Sequence, residues 1–217
     1  MCTKTMKLRT KSQSSTTTSS KMIGVARTVQ LPRPNDFLAV LQALTEVSAG
    51  DVLVVNTSGS TRAVAGSLFT TEAARRGCRG LVVDGPVRDV DDLALPTYST
   101  FVTPYAGTVQ HPGEGIDVMP IICGGVNVNQ GDIIFGDGDG VLVGSADTFA
   151  TCLKNAENIA AVEKQLIHGM KMGVSIHKMT NFDKHLELRK EGKESNMTFR
   201  DDLHTIKFDD MKPLNFD

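Results

Sequence analysis

Gly50-Asp51-Val52-Leu53-Val54-Val55-Asn56 and, further along, Gly80-Leu81-Val82-Val83-Asp84 are the two stretches on which the fold of this chain turns. Each holds a short, unbroken apolar run bounded by turn residues, the pattern of a strand buried on both faces. The first strand is expected over Val52 to Asn56, after the turn at Ala49-Gly50-Asp51. Thr57-Ser58-Gly59-Ser60-Thr61 then has turn chemistry, and Ala63 to Arg76 places Leu68 and Ala73 at helical spacing, with Gly77 as a C-terminal stop. Strand, loop, helix and strand within Val52 to Asp84 have the order and length of a right-handed βαβ crossover, so the two strands should run parallel. The class is α/β.

Working outward, short extended runs recur at Val118 to Cys123, Asp132 to Phe135 and Gly140 to Val143, separated by Gly, Asn and Asp clusters. A helical pattern returns from Ala146 to about Ile167, with Ser145 as its cap and Gly169 as its stop. Asn181 to Lys193 is a charged, exposed helix by pattern, and Arg200 to Asp217 reads as a tail. Residues 1–21 are rich in Ser and Thr and carry Lys4, Lys7, Arg9, Lys11 and Lys21, with no acid before Asp36. That segment reads as a disordered tail, and it also fits an organelle transit peptide, which would make the protein mitochondrial rather than cytoplasmic.

The chain has 217 residues, enough for one domain with a proper core. A formal net charge of -2 provides no overall field for nucleic acid or anionic lipid, so no direct nucleic-acid partner is expected. No apolar run reaches membrane-spanning length, so no membrane is expected either. Cys2, Cys78, Cys123 and Cys152 lie far apart without C-x-x-C spacing, and read as reduced thiols rather than a zinc knuckle or a disulfide framework. The histidines at 111, 168, 177, 185 and 204 never share the i, i+4 spacing of a helical zinc site.

In a βαβ unit, the first loop, the helix N-terminus and the end of the second strand share one edge of the sheet. Backbone N-H groups near Gly66, Ser67, Leu68 and Phe69 could there receive a carboxylate, if the helix begins close to Ala65. The second strand delivers Arg88 and Asp89 to the same edge, after a turn expected at Gly85-Pro86. A guanidinium fork suits a carboxylate or enolate oxygen, and a single carboxylate suits a magnesium ion that keeps most of its waters. Taken alone, Arg88-Asp89 reads as a surface ion pair, Glu163 as a solvated charge and Ser67 as a helix-start residue. Gly136, Gly138 and Gly140 are turn glycines, because Val141-Leu142-Val143 reads as a strand where a dinucleotide loop needs a helix.

Several blocks, in order, resemble one family. They are Gly50 to Asn56, Ala65-Gly66-Ser67-Leu68-Phe69, Ala73 to Gly77, Gly80 to Leu93, Met119 to Val126 and Gly131 to Val141. Together they resemble the RraA-like family, which includes the 4-hydroxy-4-methyl-2-oxoglutarate/4-carboxy-4-hydroxy-2-oxoadipate aldolases and the regulator of ribonuclease activity A. The resemblance covers roughly Met22 to Gly169. It implies a layered β/β/α single domain, like the swivelling phosphohistidine domain, with the βαβ unit at the active-site edge. The expected divisions are a tail at 1–21, the RraA-like domain at 22–178 and a charged helical extension and tail at 179–217.

The aldolase signature is an acid, twenty residues, Arg-Asp, two residues and a further acid; Arg88, Asp89 and Asp92 match it. The resemblance implies that Asp89 is the ligand of a divalent metal, Mg2+ or Mn2+. It likewise implies that Arg88 binds a small 2-oxo acid and stabilises its enolate, with the carboxylate held by N-H groups near Leu68 and Phe69. Ser67 stands where the aldolases carry a carboxylate that orients water, so proton abstraction should be weaker here. Glu163 falls where those enzymes supply an acid from a neighbouring subunit, which implies a homotrimer or a dimer of trimers. The implied activity is pyruvate aldolase, oxaloacetate decarboxylase or both. A non-catalytic regulator that binds a ribonuclease or another protein is the competing expectation. A methyltransferase finds no support in any glycine-rich strand-to-helix cofactor loop.

Overall fold

Alternate side chains of Asp51–Asn56 enter two separate cores, and that alternation organises the layers. The computed structural model describes residues 4–6, 9–10, 21–109 and 119–200. In chain order the elements are β1 (Lys4–Met6), β2 (Arg9–Thr10), β3 (Met22–Gln30), α1 (Leu38–Glu46), β4 (Asp51–Asn56), α2 (Ser67–Arg75), β5 (Gly80–Val87) and β6 (Thr97–Val102). Then follow β7 (Ile121–Cys123), β8 (Val126–Val128), β9 (Ile133–Asp137), β10 (Gly140–Gly144), α3 (Ala146–Lys171), a 3-10 turn (Ile176–Met179) and α4 (Phe182–Lys190). By compactness the chain divides into two units, residues 1–151 and 152–217. The residue 178 boundary expected from the sequence falls within the 3-10 turn.

The first unit is built on an eight-stranded sheet of order β1-β10-β9-β3-β4-β5-β6-β2. β4 and β5 are parallel, from Val52 opposite Gly80 to Asn56 opposite Asp84, with α2 between them in sequence. The expected crossover is therefore present. Leu53, Val55, Leu81 and Val83 join Ala39, Val40, Ala43, Leu44 and Ala73 of the two helices in one core. Val52, Val54, Val82 and Tyr98 point the other way, onto Ile121, Cys123 and Val128 of the β7-β8 hairpin. Hairpin, sheet and helices form three layers, the expected β/β/α arrangement. Each buried Val or Leu contributes about 1.5–3 kcal/mol of transfer free energy.

β1 and β2 close opposite ends of the strand order, yet only Lys7 and Leu8 separate them. Seven steps of about 4.8 Å would put the edges of a flat sheet about 34 Å apart. The three links from Met6 to Arg9 span at most about 11 Å. The sheet must therefore curl until its edges nearly meet, with the hairpin core on its inner face.

Four expectations need correction. The N-terminal segment is not wholly without structure: Lys4–Met6 pairs with β10 and Arg9–Thr10 with β6, because both sheet edges offer unpaired backbone groups. The turn expected at Gly85-Pro86 is strand, with a register shift between Val83 and Pro86. There the Thr57 hydroxyl donates to the Asp84 carbonyl at 2.6 Å, and a Cβ on Gly85 would lie 2.2 Å from that hydroxyl oxygen. α3 runs through Gly169, which is buried, and its stop is Gly173 at φ 88°. The strand expected from Val118 starts at Ile121; residue 118 itself lies outside the described residues.

The second unit has a small core of Leu166, Val174 and Met179, packed against Val162 and Met170. Asn181 ties it together, accepting from the Thr198 N-H at 2.9 Å and donating to the Asn196 carbonyl at 3.0 Å. The charged helix expected from Asn181 is α4, with no buried residue. The tail expected from Arg200 lies, beyond that residue, outside the described residues. No helix among the described residues is long and apolar enough to cross a membrane.

Candidate active site

The loop that leads from β4 into α2 is held from below. Asn35 adopts φ 66° and its side-chain oxygen accepts from the N-H groups of Thr61 and Arg62, at 2.8 and 2.9 Å. Ser60 donates to the Thr57 carbonyl, and the Ser58 N-H donates to the Asn56 side chain. These N-H groups are committed inward, so the glycine-bearing loop is a brace and not a phosphate cradle. The N-H of Ala63 donates to Tyr105 and its carbonyl accepts from Gly107, both at 2.8 Å, which zips this loop to the one after β6.

α2 begins at Ser67, with Gly66 as its N-cap, two residues after the Ala65 start expected from the sequence. The N-H groups of Leu68 and Phe69, in the first turn, have no intrahelical acceptor. Gly77 ends the helix at φ 84° as expected; a Cβ there would meet Ala49 at 2.8 Å. Beyond the bulge in β5, the Arg88 N-H donates to the Ala65 carbonyl at 3.1 Å, which docks the strand end against the helix start. Asp89 follows at φ 54°, in the left-handed region that Asp tolerates better than bulkier residues.

This geometry brings six of the expected residues together. Gly66, Ser67, Leu68, Phe69, Arg88 and Asp89 all line one cavity of about 320 Å³. That volume is at the small end of the ~300–1,000 Å³ range of ligand pockets and suits a compact metabolite. Phe37, Val64 and Phe69 give it an apolar wall, with the Phe37 and Phe69 rings edge to face at 5.5 Å. Arg88 Nε donates to both Asp89 oxygens, at 2.9 and 3.0 Å. The Ser67 hydroxyl and N-H donate to Asp89 Oδ2 at 3.2 and 3.3 Å. Burial alone would raise the Asp89 pKa, but the Arg88 hydrogen bond, the Ser67 N-H and the Ser67 hydroxyl outweigh it and hold this carboxyl below its ordinary value. It is an anion at neutral pH.

Gly66 is required by this packing. A Cβ at that position would stand 2.7 Å from Asp89 Oδ2 and 2.8 Å from Arg88 Cγ. Neither this role nor that of Asn35 was read from the sequence, although Pro34-Asn35-Asp36 carries a turn signal. Asp92, the last acid of the signature, is exposed, and its N-H donates to the Asp89 carbonyl at 3.0 Å. Glu163 lies in the second unit on an exposed face of α3. Burial, then the neighbouring Asp84, push the Cys123 thiol well above its ordinary range, so it is no nucleophile.

The donor set can be tested against a divalent cation. Among the described residues no group of three or more His, Cys, Asp or Glu is placed to hold a metal. Zinc, which needs several protein ligands, does not fit. Mg2+ or Mn2+ does: such an ion is commonly held by one or two carboxylates plus substrate oxygens and waters. Asp89 is an ionised carboxylate at the cavity wall, and among the described residues only Arg88 Nε donates to its Oδ1, which leaves that oxygen a lone pair for an ion.

The family profile described as RraA-like, Aldolase/RraA, matches residues 2–143. A protein of Halalkalibacterium halodurans, provisionally named 4-hydroxy-4-methyl-2-oxoglutarate aldolase, is 42% identical over 127 residues. That match takes in 57% of this chain, and the chain spans 59% of the relative's length. Among solved structures, the RNA-processing inhibitor RraA from Thermus thermophilis matches with a TM-score of 0.55 and 30% identity, over 65% of this chain and 83% of its own. A Geobacillus kaustophilus structure titled S-adenosylmethionine: 2-dimethylmenaquinone methyltransferase gives a TM-score of 0.58 and 28% identity, over 68% of this chain and 90% of its own. The three names describe three different activities, so they define a lineage and not a reaction. With its layered sheet, its Arg88-Asp89 edge and a profile match across most of the first unit, this chain belongs to the RraA-like family.

Proposed function

We propose that this protein is a lyase that binds a small 2-oxo acid in the cavity beside Asp89 and cleaves a carbon-carbon bond adjacent to the 2-oxo group's α-carbon. The observation that carries the reading is the convergence of Arg88, Asp89, Ser67 and the first turn of α2 on one cavity. A divalent cation, Mg2+ or Mn2+, would be held through Asp89 and would supply Lewis-acid polarisation of the 2-oxo group. The N-H groups of Leu68 and Phe69 receive the substrate carboxylate at the positive end of the helix. Arg88 is anchored by Asp89 through Nε, and the outer edge of its guanidinium stabilises the charge that develops on the 2-oxo oxygen as the bond breaks.

Ser67 sets the limit of this chemistry. Its hydroxyl is a donor to Asp89 and a poor proton acceptor, so general-base help worth about 10²- to 10⁴-fold is missing from this position. Decarboxylation of oxaloacetate needs no base and is the favoured reaction; aldol cleavage of 4-hydroxy-4-methyl-2-oxoglutarate is the slower one. Glu163 of a neighbouring subunit would complete the site in a homotrimer or a dimer of trimers.

The decisive assay measures pyruvate release from both substrates with Mg2+ or Mn2+ and with EDTA. Metal-dependent turnover that disappears in Asp89→Ala supports the lyase. No turnover on either substrate by an assembled oligomer refutes it, and leaves the second reading, a non-catalytic binding protein, which the neutral Ser67 favours.

A further inference from the structure

Arg62 directly precedes Ala63, a residue of the cavity lining, and differs in charge pairing from four other arginines. Arg27, Arg75, Arg76 and Arg88 each meet a carboxylate within 3.5 Å. Arg62 is exposed, and among the described residues it has no carboxylate partner. Its Nη1 donates to the Ala106 carbonyl at 3.5 Å, the limit of a hydrogen bond, and its guanidinium lies 6.0 Å from the Tyr105 ring centroid, the limit of a cation-π contact. Both contacts are weak and easily exchanged for a stronger one.

The backbone beneath this side chain is, in contrast, tightly held. The Arg62 N-H is fixed by Asn35, and the next residue, Ala63, is zipped to Tyr105 and Gly107. A Cβ on Gly107 would meet the Asn35 carbonyl at 2.5 Å, so these loops approach as closely as glycine allows. Ala63 and Ala106, which flank Arg62 in the chain and at its Nη1, both line the cavity. A loosely engaged cation on a rigid rim is therefore available to a ligand whose near end is held by Arg88 and α2.

We infer that Arg62 is the specificity-determining residue that reads the far carboxylate of a dicarboxylic 2-oxo acid. The apolar wall of Phe37, Val64 and Phe69 cannot serve that anion, whereas a guanidinium binds a carboxylate through two parallel hydrogen bonds. The inference rests on the proposal that the cavity takes 2-oxo acids.

The test titrates the full chain, in Mg2+ buffer, with pyruvate and with 2-oxoglutarate by calorimetry. Arg62→Gln is expected to weaken 2-oxoglutarate about ten-fold or more, the worth of one charge-assisted hydrogen bond, and pyruvate by less than about two-fold. Arg62→Lys should recover part of the loss. Equal weakening of both ligands, or none for 2-oxoglutarate, overturns the role of Arg62 and leaves the 2-oxo-acid reading standing. A wild-type protein that binds neither ligand removes that reading and this inference with it. The side chain is exposed and the structural bonds at position 62 are backbone ones, so an unchanged melting temperature is the expected control.

Discussion

Ser67→Asp restores a carboxylate where the family's aldolases carry one, and its cost can be worked from the site. The Ser67 hydroxyl now lies 3.2 Å from Asp89 Oδ2 and donates to it. The substitution replaces that donor with an anion at about the same separation. Two unit charges so placed repel by about 1 kcal/mol in bulk water and about 5 kcal/mol at an effective dielectric of 20. The Asp89 side chain is 28% exposed and Arg88 shares its charge, so the lower figure governs and a loss of about 1–2 kcal/mol is expected without metal. For a unit of this size that lowers the melting midpoint by about 2–8 °C. A divalent cation bound at the proposed site would reverse the sign, because two carboxylates bind it better than one and its binding adds stability as RT ln(1 + [L]/Kd). Thermal melts of wild type and Ser67→Asp over a Mg2+ series measure both effects. The ratio of aldol cleavage to decarboxylation should rise in the variant, toward the 10²- to 10⁴-fold worth of a general base. Equal metal-free midpoints together with equal Mg2+ responses would refute the placement of residue 67 beside the proposed cation site.

Two further outcomes follow from the packing. Gly66→Ala would put a methyl 2.7 Å from Asp89 Oδ2, so Asp89 and Arg88 must move by roughly half an ångström; turnover should fall by about 10- to 100-fold, with a stability cost of only about 1–3 kcal/mol, checked by pairing kinetics with urea melts. Tyr98 is fully buried and its hydroxyl donates to the Asp137 carbonyl at 2.9 Å; burial, then the Asp137 charge, raise its pKa to about 12. The folded state therefore keeps a proton that the unfolded state releases above pH 10. Stability from this group is complete below pH 10 and is lost at about 1.4 kcal/mol per unit up to about pH 12, a slope that Tyr98→Phe should remove from denaturation curves.

β4 and β5 were legible because a strand buried on both faces writes itself as an unbroken run of Val and Leu. β6 was not read: Thr97-Tyr98-Ser99-Thr100-Phe101-Val102 mixes polar and aromatic residues, and its buried Thr97 and Ser99 look like turn chemistry in isolation. α1 escaped as well: its buried Ala39, Val40, Ala43 and Leu44 recur at helical spacing, but over only nine residues and with the exposed Leu41 blurring the stripe. Arg88-Asp89 gained meaning only from its neighbours, since a dipeptide carries no sign of what it faces. Gly66, Asn35 and Gly107 matter through contacts with residues distant in sequence, which no local pattern records. The strands at the N-terminus were invisible for the same reason: Lys4–Met6 pairs with residues 141–143, at the far end of the same unit.

Those N-terminal strands give the molecule a clasp. A few residues link β10 on one edge of the curled sheet to β6 on the other, so releasing them frees both edges in a single event. β6 runs directly into the Thr103 to Thr108 loop that is zipped against Ala63, and so into one wall of the cavity. A mechanical load on the first ten residues would therefore reach the pocket by two routes at once, through that loop and through the β6-β5 pairing that carries Arg88 and Asp89.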